Sequence, residues 1–251
     1  MPSIAGQSVL VIGGSSGIGF AVARLALSEQ ASVAIASSST AKVDAAVQRL
    51  KADAPGPAQV TGYTIDLCAP DPEQQLDKLF ADATSHGQHP LDHIILTAGR
   101  PKPLPVDEAD LEQLIAAARL PVFVNILVAK LAPKYLASGP RSSIIFTSGQ
   151  VAEKPIPGYS ALASFAIAGY ALTRNLAVDL APRRVNLVSP GATDTELWGD
   201  RAEAMREMVS KKSLLGKPGL PEEVAEAYLY LMRNTDATGS IVSTNAGGTL
   251  Q

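Results

Sequence analysis

The chain has 251 residues, 46% hydrophobic and 18% charged, which suits one large α/β core or two small ones and excludes a disordered chain. A net charge of −3 offers no basic field to nucleic acid or an anionic membrane, and the single Cys68 with three scattered histidines excludes an internal disulfide and a structural zinc set. No apolar run is expected to reach the roughly 20 residues of a bilayer span, and Met1-Pro2-Ser3-Ile4 lacks the basic flank and apolar stretch of a signal peptide, so a soluble cytoplasmic domain binding a small molecule is expected.

The predicted elements alternate along the chain. A strand at Ser8–Ile12 runs through a glycine-rich turn into a helix at Ile18–Leu27. A second strand, Ser32–Ala36, precedes a helix at Ala41–Leu50, and a third, Gln59–Ile65, precedes one at Pro72–Ala83. The fourth strand, His93–Leu96, leads through a Pro-rich loop, Arg100–Pro105, to a long helix at Leu111–Leu136. The fifth, Ser143–Phe146, is followed by the loop Lys154–Pro157 and a helix at Leu162–Leu180 that is apolar on nearly every face. The sixth strand is Arg184–Val188, and a helix at Pro221–Met232 precedes the seventh, Ser240–Ser243. Strand alternating with helix predicts an α/β fold, doubly wound, with a mostly parallel seven-stranded sheet and helices on both faces. No composition shift marks a boundary, so residues 1–251 are read as one domain. The all-apolar helix predicts burial against the sheet and against another subunit, in a homodimer or homotetramer. His86, His89 and His93 fall at the amino end of the fourth strand and are expected to be solvated loop residues.

Gly13-Gly14-Ser15-Ser16-Gly17-Ile18-Gly19 follows the first strand and opens the first helix. Glycines let the backbone turn sharply against a pyrophosphate, while the helix presents unpaired N–H groups and a positive dipole end. A glycine-rich turn without a ligand is the bland alternative, but the strand-to-helix context is the one that dinucleotide binding requires. Gly13, Ser15, Ser16, Gly17, Ile18 and Gly19 are therefore candidate cofactor residues in a Rossmann-type fold. After the second strand, where a carboxylate would select NAD(H), the chain has Ser37, Ser38 and Ser39 with Lys42 close behind. Hydroxyls and N–H groups suit a 2′-phosphate, which points to NADP(H). A serine-rich helix N-cap accounts for the same residues, and both roles can hold together.

The spacing Gly13-x-x-x-Gly17-x-Gly19 resembles the fingerprint of the short-chain dehydrogenase/reductase family, and further matches extend over essentially the whole chain. Asp66-Leu67 resembles the family's adenine contact, and Thr97-Ala98-Gly99 the end of its Asn-Asn-Ala-Gly motif. Arg184-Val185-Asn186 and Ser189–Thr195 resemble its sixth strand and nicotinamide loop, which nominates Pro190, Gly191, Thr193 and Thr195. Gly216-Lys217-Pro218-Gly219 and Pro221–Ala225 resemble its closing segment. The resemblance implies a Ser, a Tyr, a Lys one helical turn after the Tyr, and a helix Asn. Here the serine slot falls on Gly149, the tyrosine slot on Leu162 and the lysine slot on Ala166. A slip would bring Tyr159 to the tyrosine slot, but no lysine occurs from Pro155 to Ser210 under either alignment. The asparagine slot lies near Arg119–Pro121, with Asn125 too far along the helix for a match.

Without a positioned general acid, about 10²–10⁴ in rate is lost for reduction of an ordinary ketone, whose alkoxide needs a proton. An iminium needs none, and a cyclisation steered by pocket shape needs none either. Ser37–Ser39, Glu153–Pro157, Asp194–Trp198 and Ser243–Asn245 resemble atypical members of fungal secondary metabolism. Among those are alkaloid enzymes that reduce an iminium and steer a cycloaddition. They are thought to use an acidic residue in the loop where this chain has Gly158-Tyr159. The expectation is an atypical NADP(H)-dependent oxidoreductase, with a redox-neutral cyclase or isomerase, or a non-catalytic NADP(H)-binding protein, as alternatives. Tyr159 is a candidate proton donor or a loop-packing residue. Ser148 either faces the ligand crevice or caps its strand. Trp198 either stacks over substrate or packs against Leu197, and Arg119 either meets an anionic substrate or stays on an exposed helix face.

Overall fold

Side-chain alternation along the central strands decides the architecture. On β1 (Ser8–Ile12), Val9 and Val11 enter one core cluster and Leu10 and Ile12 the other, all four fully buried. A strand apolar on both faces needs a helical layer on each side. The computed structural model describes residues 2–54, 56, 59–99 and 101–251; Arg100, where the predicted loop begins, lies outside them. The further strands are β2 (Ser32–Ser37), β3 (Val60–Thr64), β4 (His93–Leu96), β5 (Ser143–Thr147), β6 (Arg184–Pro190) and β7 (Ile241–Thr244). The seven-stranded sheet is as predicted, and all seven strands pair in parallel, in the order β3-β2-β1-β4-β5-β6-β7. The helices are α1 (Gly17–Ser28), α2 (Thr40–Asp53), α3 (Pro72–Ala83), α4 (Leu111–Ala118), α5 (Asn125–Tyr135), α6 (Ser160–Asp179), α7 (Ala202–Lys212) and α8 (Pro221–Arg233). α1, α2 and α8 cover the Val9–Val11 face, and α3, α5 and α6 cover the other. The winding reverses between β1 and β4, where Ile12 pairs with Leu96 on one side and Ala36 on the other. A ligand crevice opens beyond the carboxyl ends of strands at such a reversal.

Three expectations change. The long helix predicted from Leu111 is α4 and α5 joined by a π-helical turn, Arg119–Val124. Pro121 has no N–H to give and its ring crowds the preceding turn, so the ladder widens there; Asn125 Nδ2 donates to the Pro121 carbonyl at 2.9 Å. The joined helix Leu111–Tyr135, and likewise α6, is long and apolar enough by length and composition to cross a membrane, contrary to the expected lack of such a run. In this fold each lies on the sheet, with Val124, Val128 and Ala132 fully buried. The third change is His93.

His86 and His89 are exposed, but His93 is fully buried on β4, with Nδ1 2.8 Å from Ser143 Oγ and Nε2 3.0 Å from Gln7 Oε1. Two side-chain partners satisfy the ring at the sheet's amino edge, away from the crevice. Burial, reinforced by Arg184 and Arg141, pushes its pKa from 6.5 down to about 3. The unfolded chain takes up a proton below about pH 6.5 while the folded ring stays neutral, so His93 withdraws stability as pH falls through that window. Urea unfolding at a series of pH values should show this loss at up to ~1.4 kcal/mol per pH unit between 6.5 and 4. The slope should be shallower in His93→Gln, and equal slopes would exclude this role.

Candidate cofactor and active site

The turn from β1 into α1 is held against the end of β4. Gly13 N–H donates to the Ala36 carbonyl at 2.7 Å, and Thr97 and Ala98 N–H donate to the Ile12 carbonyl at 2.8 and 3.1 Å. A Cβ on Gly13 (φ +96°) would lie 2.5 Å from Ala98 N, and one on Gly19 would lie 2.3 Å from the Gly13 carbonyl oxygen. Both contacts are to backbone, so the first turn of α1 can sit this close to the strands only with glycine. Gly17, at φ +51°, lets the chain reverse into the helix. Ser16 is extended and makes no side-chain cap, so the first turn of α1, which includes Ile18, receives no acceptor from it. Gly17 N–H meets the Glu196 carboxylate at 3.0 Å.

The other cofactor candidates surround this turn. Ser15, nearly buried, donates to Ser37 Oγ at 2.9 Å and thereby joins the glycine turn to the end of β2. Ser38 is exposed, and Ser39 caps α2 by accepting from Lys42 N–H at 3.4 Å. No acid stands in the first turn of α2, whereas Lys42 does. A cation at a helix N-terminus opposes the dipole, an arrangement that suits a neighbouring anion. Asp66 turns back on its own loop, its Oδ1 accepting from Cys68 N–H at 2.9 Å, while Leu67 is buried. Ala98 is half-buried and Gly99 faces open space. On the far side, Gly191 N–H donates to the Thr244 carbonyl at 3.0 Å, and a Cβ on Gly191 would lie 2.7 Å from Asn245 Cα. Pro190 and Thr193 are buried, and Thr195 Cγ2 would lie 3.2 Å from a Cβ on Gly17. The phosphate end and the nicotinamide loop thus meet over one crevice, and the residues present fit a nicotinamide dinucleotide.

The reaction-centre candidates are less concentrated. Ser148 Oγ donates to the Ala166 carbonyl at 2.9 Å, so its proton is committed to α6. Leu162 and Ala166, which the family resemblance assigns to the tyrosine and lysine slots, are half-buried and buried respectively. Tyr159, half-buried, is the N-cap residue of α6. Trp198, partly buried, lies on a short 3-10 segment, Glu196–Arg201, after the nicotinamide loop. Arg119 is engaged elsewhere: its Nη1 donates to the Cys68 and Ala69 carbonyls at 2.7 and 2.8 Å, which braces the loop after Asp66.

Four residues beyond the sequence-derived candidates also shape the site. Thr97 Oγ1 lies beneath the glycine turn and donates to the Ile12 carbonyl at 3.2 Å. Glu196 sits on Gly17. Tyr170 Oη lies 2.7 Å from Glu153 Oε1 and 2.8 Å from Ser189 Oγ, and burial pushes its phenol up to about 12, so it remains protonated and ties α6 to β6. Thr97 adjoins Ala98-Gly99 and was within reach of the motif; the partners of Glu196, Tyr170 and Glu153 depend on chain distant in sequence.

Fold and crevice together define a dinucleotide-binding domain of the doubly wound α/β class. The description "SDR-like rossmann domain" matches residues 2–251, and the chain belongs to the short-chain dehydrogenase/reductase family. It is 44% identical over 254 residues to the short-chain dehydrogenase/reductase ATR9 of Stachybotrys chlorohalonatus, covering 100% of both chains. Among solved structures it is similar to the MalC reductase/Diels-Alderase from Malbranchea aurantiaca, at 40% identity and TM-score 0.93 over 98% of this chain and 97% of that one. It is also similar to an NADPH-bound short-chain oxidoreductase from Pseudomonas aeruginosa that contains an atypical catalytic center, at 25% identity and TM-score 0.86 over 96% of each chain.

Gly19→Ala tests the cradle. Its Cβ has only backbone to push against, so stability should fall by about 2 kcal/mol or more in chemical denaturation. Dinucleotide affinity, followed by fluorescence titration, should fall at least tenfold.

Proposed function

We propose that this chain is an atypical NADP(H)-dependent oxidoreductase acting on a small secondary-metabolite-like substrate, an iminium or a similarly activated carbonyl. The observation that carries the reading is a glycine turn closed against the ends of β1 and β4, in a chain where the family resemblance assigns Leu162 and Ala166 to the tyrosine and lysine slots. Ser37, Ser38, Lys42 and the acid-free start of α2 favour the 2′-phosphate of NADP(H). When bound, the cofactor supplies a hydride. The chain's contribution is placement and exclusion of water: Gly99 leaves space beside the end of β4, Thr193 and Pro190 wall the far side, and Leu162 keeps the centre apolar. With its proton committed to the Ala166 carbonyl, Ser148 could meet a ligand only as an acceptor. Such a centre suits a cationic substrate that needs no proton on reduction better than a ketone, whose alkoxide does.

The likeness to a reductase/Diels-Alderase supports a second reading, a redox-neutral cyclase on the same fold, in which the pocket wall orients the substrate. NADPH deuterated at the transferred position separates the two. Deuterium in the product of a cyclic iminium supports reduction, whereas cyclised product with no NADPH consumed supports the cyclase. No turnover with intact NADPH binding leaves a non-catalytic binder.

The cofactor choice has its own check. Ser38→Asp should weaken NADPH binding about fivefold or more by like-charge repulsion and leave NADH binding unweakened; unchanged NADPH affinity would remove the phosphate site. We further propose that a second copy covers the exposed apolar residues of the α4–α5 and α6 faces, Ile115, Phe123, Ile126 and Ile167. Light scattering should then give a homodimer or homotetramer, and Ile126→Asp should shift it toward monomer.

A further inference from the structure

Glu196 and Gly17 are 179 positions apart, yet Glu196 Oε2 accepts the Gly17 N–H at 3.0 Å. Gly17 opens α1, the helix whose N-cap residue, Ser16, provides no side-chain acceptor. A carboxylate from the opposite side of the crevice therefore fills the position of a capping anion. We propose that Glu196 is a built-in anion that occupies the phosphate end of the crevice until dinucleotide enters, and that its displacement releases the segment that carries Trp198. The inference rests on the reading that this chain binds NADP(H).

The two anions draw on one resource. A helix N-terminus gathers its positive potential within its first turn, and the first N–H groups there receive a pyrophosphate in a glycine-turn site. A carboxylate held on Gly17 uses one of those donors and repels incoming phosphate oxygens. Pyrophosphate carries more charge and engages several N–H groups at once, so it is favoured once present.

The segment behind Glu196 is built to move. Thr195 and Glu196 are followed by Gly199 at φ +50° and ψ −134°, which breaks the 3-10 segment, and then by α7, which has no buried residue. Arg206 of α7 pairs with Asp194, a contact within the segment itself. The Glu196 bond thus ties the start of a weakly packed stretch to α1, with Leu197 and Trp198 on the same short turn. A cleft of about 570 Å³ runs between this stretch and α1. Arg24, paired with Glu222, and Arg206, paired with Asp194, border it and keep the cleft's edge positive enough for the displaced carboxylate to stay in solvent beside them.

The test compares wild type, Glu196→Gln and Glu196→Ala, titrated with NADPH and separately with inorganic pyrophosphate. Removing a competing anion of this kind should tighten both probes between about 2-fold and 30-fold in Glu196→Ala, with Glu196→Gln intermediate. Trypsin cleavage after Arg201 and Arg206 without nucleotide should be faster in Glu196→Ala than in wild type, because the tether is gone. NADPH binding of equal or lower affinity in both variants overturns the competition, and unchanged cleavage overturns the tether. If neither wild type nor variants bind NADPH, the dinucleotide reading fails and this inference falls with it.

Discussion

The want of room at Gly13 and Gly19 is the constraint on which the crevice depends. Between the ends of β1 and β4 and the first turn of α1, backbone touches backbone, and a single methyl would sit within 2.3–2.5 Å of main-chain atoms. That closeness lets one carbonyl, Ile12's, accept from Thr97 N–H, Ala98 N–H and Thr97 Oγ1. It also lets Ser15 reach Ser37 across the strands. The amides that would meet phosphate are therefore set by the sheet itself, through strands buried on both faces, rather than by a mobile loop. A binding surface fixed in this way owes its geometry to the packing of the sheet and not to side chains elsewhere in the crevice.

The opposite edge of the sheet is secured by polar side chains. Arg184, buried on β6, donates to the Pro140, Leu231, Met232 and Ala237 carbonyls and so closes the C-terminal end of α8, while burial lowers its pKa to about 10. Asn186 donates to the Ala237 carbonyl and accepts from Ser240 N–H, which fixes the start of β7. The molecule thus divides its labour: buried charge and imidazole lock the amino edge, while small residues and free amides are reserved for the carboxyl edge.

Much of this was legible in the chain because the parallel strands are short β-branched runs with glycine or proline at their ends. Ser8–Ile12 and His93–Leu96 match to the residue. α7 was not legible: Glu203, Arg206, Glu207, Lys211 and Lys212 are interspersed with its apolar residues, and nothing on it is buried. His93 was misplaced because its polarity suggests solvent, whereas Ser143 and Gln7, distant in sequence, make burial possible. In the site, Gly13 and Gly19 were legible because backbone geometry demands them locally. Arg119, Tyr170 and Glu196 were not, since the partner that defines each lies on another element.

The π-helical turn at Arg119–Val124 holds one residue of slack in the segment. It accommodates one residue more than an α-helical path would. Deleting Pro121 would let the turn close as an α-helical one and leave Val128 and Ala132 on the sheet, whereas a deletion within α5 itself would turn the residues beyond it by about 100°. The stretch Leu-Pro-Val-Phe-Val can therefore absorb the loss of a position that the regular helix on either side of it could not.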